Sequence, residues 1–476
     1  MLFSTSSVAG NDWKEQFRIP VREITSVVEA LQVTVGTDGR LYFIGPGLIE
    51  CREATNGRRV WRHEVGGEKG WLGIYLDTFQ RGSGVLIKEI IDWPARKAGL
   101  RTGDVITKIG EHQTPHGMAL IQAVKDLKPG VRLSVDYQRE GKQAFTEVSI
   151  GARKRPRRFL GEDAQHIYLA FDFQVLSLEK KSGKQRWHVL LEPPPEAQPE
   201  ILMAGSKFVP KPAWNEGVTG VGMTDKRLIL ALGGHRLIGI ELKTGQPIWS
   251  HDSRTAMVER PLLRGQDIIF LKEVGHTIGY LDANTGQQKR QVKLAGAGLT
   301  AVFKNLLPLK GGIAIIGQKS LRVLFDEGGQ SWKRSIPDET LFSSNGRWIL
   351  LAHEKLECLD SVTGKQVWSL ALGPSDKKRL VCIGDQASVE TEKEFLIVDC
   401  PTGKRLPTTR NPNSVGLIAA GKGLWARSRQ DTQTSVQAVT GNQKMTFEGH
   451  LFLFQSSDEL LVAATDTELI VMTSGD

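Results

Sequence analysis

The stretch Asp360-Ser-Val-Thr-Gly364-Lys-Gln-Val-Trp368 decides the fold, because relatives of it return along most of the chain. Outward from it in both directions, the same phrase recurs with Gly57 and Trp61, Gly183 and Trp187, Gly245 and Trp249, and Gly328 and Trp332. Gly286, Gly403 and Gly441 sit in further copies that keep the glycine turn without the Trp. Successive glycines lie 126, 62, 41, 42, 36, 39 and 38 residues apart. An interval near forty is the length of one four-stranded propeller blade. In that reading the glycine supplies the positive φ of a tight hairpin between the third and outer strands. Thr or Ser hydrogen-bonds the turn backbone, and Trp buries its ring against the neighbouring blade. The motif holds no catalytic group. Eight turns predict a mainly β, eight-bladed propeller. Seven or nine blades stay open, because residues 459–472 read as two further strands and residues 13–19 as an outer strand able to complete them.

Bulk composition agrees. Across 476 residues, Gly numbers 51 and Trp 11 while aromatics total only 7%, which suits a turn-rich β chain. The net charge of +9, from 62 basic and 53 acidic residues, is modest for this length. Its densest run, Lys154-Arg-Pro-Arg-Arg158, has no interleaved aromatics for stacking bases, so it reads as a solvated junction and not a nucleic-acid site. Cys51, Cys358, Cys382 and Cys400 form no Cys-x-x-Cys pair and the ten histidines no ligand spacing, so no metal site is expected. No membrane span is expected either, since no run of eighteen apolar residues occurs. Compartment and oligomeric state stay open; an extracytoplasmic location is favoured if a secretory signal lies upstream of Met1.

The repeat resembles the quinoprotein (PQQ-like, BamB-like) propeller repeat. That family includes dehydrogenases that hold pyrroloquinoline quinone and calcium, often with a disulfide of adjacent cysteines. This chain has no adjacent cysteines and no recognisable cofactor set. The resemblance therefore implies the non-enzymatic branch, with no cofactor.

The first long interval leaves room for a small domain. Residues 68–152 read as that insertion, with propeller sequence at 11–67 and 153–476. The segment opens Gly70-Trp-Leu-Gly-Ile-Tyr-Leu76 and continues through Pro94-Ala-Arg-Lys-Ala-Gly-Leu100-Arg-Thr-Gly-Asp-Val-Ile106. A helical stretch, 118–127, and two strands, 131–137 and 144–150, follow. This order resembles the α+β PDZ domain attached to bacterial HtrA-type proteases. The resemblance implies that the N–H groups of Leu72, Gly73 and Ile74 hold a peptide carboxylate and that the peptide adds as a strand along Ile74–Leu76. Leu72, Ile74, Leu76, Leu120, Val124 and Leu127 would line the pocket, although core packing accounts for the helix residues equally well. His116 is a second-rank candidate for a ligand hydroxyl, and Trp71 for the groove flank or the propeller surface. The proline-rich stretch Leu191–Pro212 reads as an extended loop.

No nucleophile elbow, His-Glu-x-x-His or phosphate loop is present, and no trypsin-like domain precedes the PDZ-like segment in this sequence. The expected function is a non-enzymatic scaffold that captures C-terminal or extended peptides of a protein partner. The alternatives are a quinone- or metal-dependent oxidoreductase, or the regulatory subunit of a separate protease.

Overall fold

The computed structural model describes residues 13–20 and 31–474, apart from internal stretches of which the longest are 77–83, 193–216, 295–302 and 407–413. The chain is mainly β. Eight antiparallel sheets follow one another in sequence, over residues 32–64, 157–190, 218–252, 262–293, 303–335, 341–371, 377–399 and 414–448. In each, spatial order equals chain order, as short hairpins dictate. A further sheet breaks that rule. Leu453–Ser456, Leu460–Ala464 and Glu468–Ser474 are completed by Trp13–Pro20, with Trp13 opposite Ser474 and Pro20 opposite Glu468. Both ends of the chain share this sheet, which brings the total to nine blade-like sheets among the described residues.

The strand sequences match this stacking. Second strands such as His166–Phe171 and Gly312–Gly317 are buried along their whole length, because a neighbour covers each face. Outer strands alternate instead. In Gln185–Leu190 and Pro247–Asp252 only Trp187 and Trp249 are buried. Hydrophobic clusters join consecutive sheets. Tyr42 and Ile44 of the first pack with Ile167 and Leu169 of the second, and Leu41 and Phe43 pack with Val462 and Val471 of the terminal sheet. Comparable clusters link the second sheet through to the seventh, and the eighth to the terminal sheet. Among the described residues no cluster joins the seventh to the eighth.

Glycine and Trp interlock between neighbouring blades. Gly57, Gly183, Gly245, Gly286, Gly364 and Gly403 all have φ between 68° and 76°. A Cβ built on Gly183, Gly245, Gly286, Gly364 or Gly403 would lie 2.5 to 2.6 Å from the ring of Trp61, Trp187, Trp249, Trp332 or Trp368 respectively. Each indole N–H then donates to the carbonyl three residues before that glycine: Lys180, Leu242, Ala283, Ser361 and Cys400, at 2.6 to 3.1 Å. The Trp of one blade is thus both a flat contact and a donor for the next. Gly286 and Gly403, whose copies lack the Trp, still receive the ring of the preceding blade. Gly328 and Gly441 lie outside the described residues.

A separate α+β unit interrupts the series between the first and second blades. Despite it, Trp61 still reaches Lys180 and Gly183, so the two blades stay adjacent. The entry strand Gly70–Trp71 pairs with the exit strand Gly151–Ala152, which brings the two ends of the insert together. In the basic run at the junction, Arg157 and Arg158 are already laddered to Phe171 and Ala170 as the first strand of the second blade. Lys154, Arg155 and Pro156 lie outside the described residues, as does most of the proline-rich stretch. Among the described residues no helix is long and apolar enough to cross a membrane.

Candidate peptide-binding groove

The inserted unit is a sheet in the order Lys142–Ser149, Arg132–Arg139, Val105–Ile109, Val85–Ile90, Ile74–Leu76, with helices α1 (Trp93–Lys97) and α2 (Gly117–Lys125). Ile74–Leu76 ends the sheet. It pairs with Val85–Ile90 on one side, Ile74 opposite Ile90 and Leu76 opposite Ile87, and has no strand on its other side among the described residues. A free edge of this kind is a template for one more strand.

The loop leading into that edge is tightly determined. Gly70 lies against the end of α2, where any Cβ would collide with the Val124 carbonyl oxygen, so only glycine fits. The Leu72 carbonyl accepts the Ala95 N–H at 3.0 Å, which fastens the loop to α1. Gly73 then adopts φ +76°, the left-handed region that lets successive N–H groups turn to one side. Among the described residues no backbone carbonyl accepts from the N–H of Leu72 or Gly73. Both residues are buried, and buried amides are nearly always paired.

The apolar candidates come together. Leu72, Ile74, Leu120 and Val124 are buried in one cluster with Val85, Ile87, Ile106 and Ile109, and half-buried Leu76 and Leu127 pack onto it. On α2, Gly117, Leu120 and Val124 form the buried face. Two residues outside that spacing, Met118 and Ile121, are 52% and 39% exposed one turn apart. They present apolar surface that the core periodicity does not mark; the available signal was their offset by one residue from the buried face. His116 Nδ1 accepts the Ala119 N–H at 3.2 Å, so this histidine caps α2. Half-buried Trp71 lies in the entry strand opposite Gly151.

Charge inside the domain is used for scaffolding. Arg139 clasps Asp104 with two hydrogen bonds of 2.8 and 2.9 Å and also donates to the Gly99 carbonyl at 2.8 Å. Asp104 accepts the Arg101 N–H as well, at 2.7 Å. Burial pushes the Asp104 carboxyl up, but the bonds from Arg139 and Arg101 outweigh it and hold the group below the usual range. The Gly-Asp-Val-Ile motif thereby ties the turn after α1 to the C-terminal hairpin. Among the described residues no group of three or more His, Cys, Asp or Glu side chains is placed to hold a metal.

Residues 172–345 match the family model described as outer membrane protein assembly factor BamB, and residues 70–150 match that of the PDZ domain. The chain therefore carries a quinoprotein-type repeat propeller and a PDZ domain. Among curated proteins, a probable periplasmic serine endoprotease DegP-like of Ectopseudomonas mendocina (strain ymp) is 31% identical over 94 residues, 17% of this chain and 20% of that protein. Its counterpart in Marinomonas sp. (strain MWYL1) is 26% identical over 108 residues, 20% of this chain and 23% of that protein. The chain thus spans about a fifth of the length of the curated relatives it matches. Among solved structures, BamB from Moraxella catarrhalis superimposes with a TM-score of 0.46 at 10% identity, covering 97% of this chain and 100% of that one.

Proposed function

We propose that this chain is a non-enzymatic protein-binding scaffold whose PDZ domain, residues 68–152, captures the C-terminal or extended peptide of a partner. The observation that carries the reading is the unpaired edge Ile74–Leu76, preceded by the Leu72 and Gly73 N–H groups that have no backbone acceptor among the described residues. A peptide carboxylate supplies the missing acceptor, and the peptide main chain extends the sheet. Leu72, Ile74, Leu76, Leu120, Val124 and Leu127 then form the floor and walls for its last side chain.

The propeller is the platform in this reading, its nine described sheets closing into one ring through the sheet that Trp13–Pro20 and Glu468–Ser474 share. Tethering the PDZ domain at both ends between two blades keeps the captured peptide near the propeller surface, which raises the local concentration of a partner whose body docks there. The names of the matched families and relatives favour an extracytoplasmic, periplasmic setting.

The test is binding of a C-terminal peptide library to the whole chain and to a chain lacking residues 68–152. Free-carboxylate peptides are expected to bind the whole chain, their amidated forms to bind far less, and the deletion to bind neither. Equal binding of carboxylate and amide would refute carboxylate capture, and unchanged binding by the deleted chain would refute the groove.

A further inference from the structure

Three of the four cysteines converge where the sixth and seventh blades meet. Cys382 lies on Lys377–Ile383, Cys400 directly follows Phe395–Asp399, and Cys358 lies on Lys355–Asp360 of the blade before. The Cys382 and Cys400 sulfurs are 3.7 Å apart. Cys358 is engaged elsewhere, its thiol donating to the Cys400 carbonyl at 3.6 Å.

We propose that Cys382 and Cys400 are a modification site, a dithiol that oxidises to an intramolecular disulfide. The backbone already holds the pair in place. Cys382 stands opposite Ala387 across the hairpin that turns at Gly384 and Asp385, and the Cys400 N–H donates to the Asp385 carbonyl at 2.7 Å. Both cysteines are thus fixed to the same turn. A disulfide bond is about 2.05 Å long, so the sulfurs have only about 1.6 Å to close.

Accessibility assigns the order of events. Cys382 is half-buried whereas Cys400 is fully buried, so Cys382 is the one of the pair that a small reagent meets first. The Cys400 S–H hydrogen-bonds the Cys382 sulfur and holds that thiol below its ordinary range against the opposing effect of burial. Burial pushes Cys51 and Cys358 up to about 12, which leaves them inert. The Cys382 thiolate attacks one sulfur of a small-molecule disulfide such as oxidised glutathione, releasing one thiolate. Cys400 loses its proton and attacks Cys382 Sγ in the mixed disulfide, releasing the second thiolate. Two protein thiols are oxidised, the reagent disulfide is reduced to two thiols, and the two protons pass to them.

The bond has a defined mechanical effect. The Cys400 carbonyl accepts the Trp368 indole N–H at 2.6 Å, and the Trp368 ring lies on Gly403. Oxidation therefore ties the first strand of the seventh blade to the anchor by which the sixth blade grips it.

The reduced, purified whole chain is equilibrated with oxidised and reduced glutathione, acid-quenched, denatured, alkylated and mapped by proteolysis. Alkylatable thiols are expected to fall from four to two, with a mass lower by about 2 Da and a peptide joining Cys382 to Cys400. Cys358→Ala should fall from three thiols to one, and Cys400→Ser should accumulate a glutathione adduct on Cys382. Retention of all four thiols, a stable adduct on wild-type Cys382, or a cross-link to Cys51 or Cys358 overturns the proposal. The wild-type map decides the matter even if a variant fails to fold, and its outcome is independent of peptide capture.

Discussion

Phe17 stands to Gly57 as Trp61 stands to Gly183. A Cβ on Gly57 would lie 2.7 Å from the Phe17 ring, and one on Gly183 lies 2.5 Å from the Trp61 ring. The N-terminal strand thus supplies the aromatic anchor that the terminal sheet needs toward the first blade. Phe17→Ala is expected to lower stability by about 2 kcal/mol, the scale of a largely buried aromatic side chain. Phe17→Trp should hold or raise it. Urea denaturation of the whole chain measures both, and an unaffected midpoint for Phe17→Ala would remove the anchor from the account.

Trp187→Phe keeps most of the ring but deletes the donor to the Leu242 carbonyl, now 2.9 Å away. Stability should fall by about 1 to 2 kcal/mol, because a buried acceptor is left unpaired. Gly245→Ala should cost at least about 1 kcal/mol through the positive φ, before any displacement of the Trp187 ring is added.

Asp104 sets an acid limit on the PDZ domain. Its carboxyl titrates lower in the folded chain than in the unfolded one, so its stabilising contribution is complete above the ordinary carboxylate range. It is lost as pH falls through the lower, folded value. Resistance of this domain to thermal unfolding should therefore weaken as pH drops below about 4. Asp104→Asn should lower its melting temperature at neutral pH and flatten that acid slope. An unchanged slope in the variant would assign acid sensitivity to other groups.

Met118 and Ile121 separate groove from core. Because both are exposed, Met118→Lys and Ile121→Lys should leave the melting temperature nearly unchanged. Ile121→Lys should weaken peptide binding by about tenfold, which is roughly 1.4 kcal/mol. Leu120→Ala, in the buried face that also floors the pocket, should lower the melting temperature as well as change the preferred last side chain. Fluorescence titration beside calorimetry distinguishes the two behaviours.

The repeat was legible because its turn demands are local: a positive φ at Gly364 and an aromatic four residues on are written in nine consecutive positions. The terminal sheet was only partly so. Its outer strand, Trp13–Pro20, meets Glu468–Ser474 across nearly the whole chain, and Phe17 carries no neighbouring glycine to mark it as an anchor. In the seventh copy of the repeat, Pro407 takes the sequence position that Trp holds elsewhere and lies outside the described residues, while Arg405 bridges Val398 and the Leu406 N–H donates to the Ile397 carbonyl. Within the PDZ domain, spacing located Leu120 and Val124 as one helix face without saying that this face is the core. The proximity of Cys382 to Cys400 follows from the turn at Gly384 and Asp385, which no spacing rule reveals.

The neck formed by Gly70–Trp71 and Gly151–Ala152 makes the PDZ domain an exchangeable cassette. Opposed residues of an antiparallel ladder lie about 5 Å apart, so excising everything between them leaves a gap that a two- or three-residue turn closes. The blades on either side already grip each other through Trp61 and Lys180 without help from the insert. Any domain whose own termini lie side by side is a candidate graft at this seam.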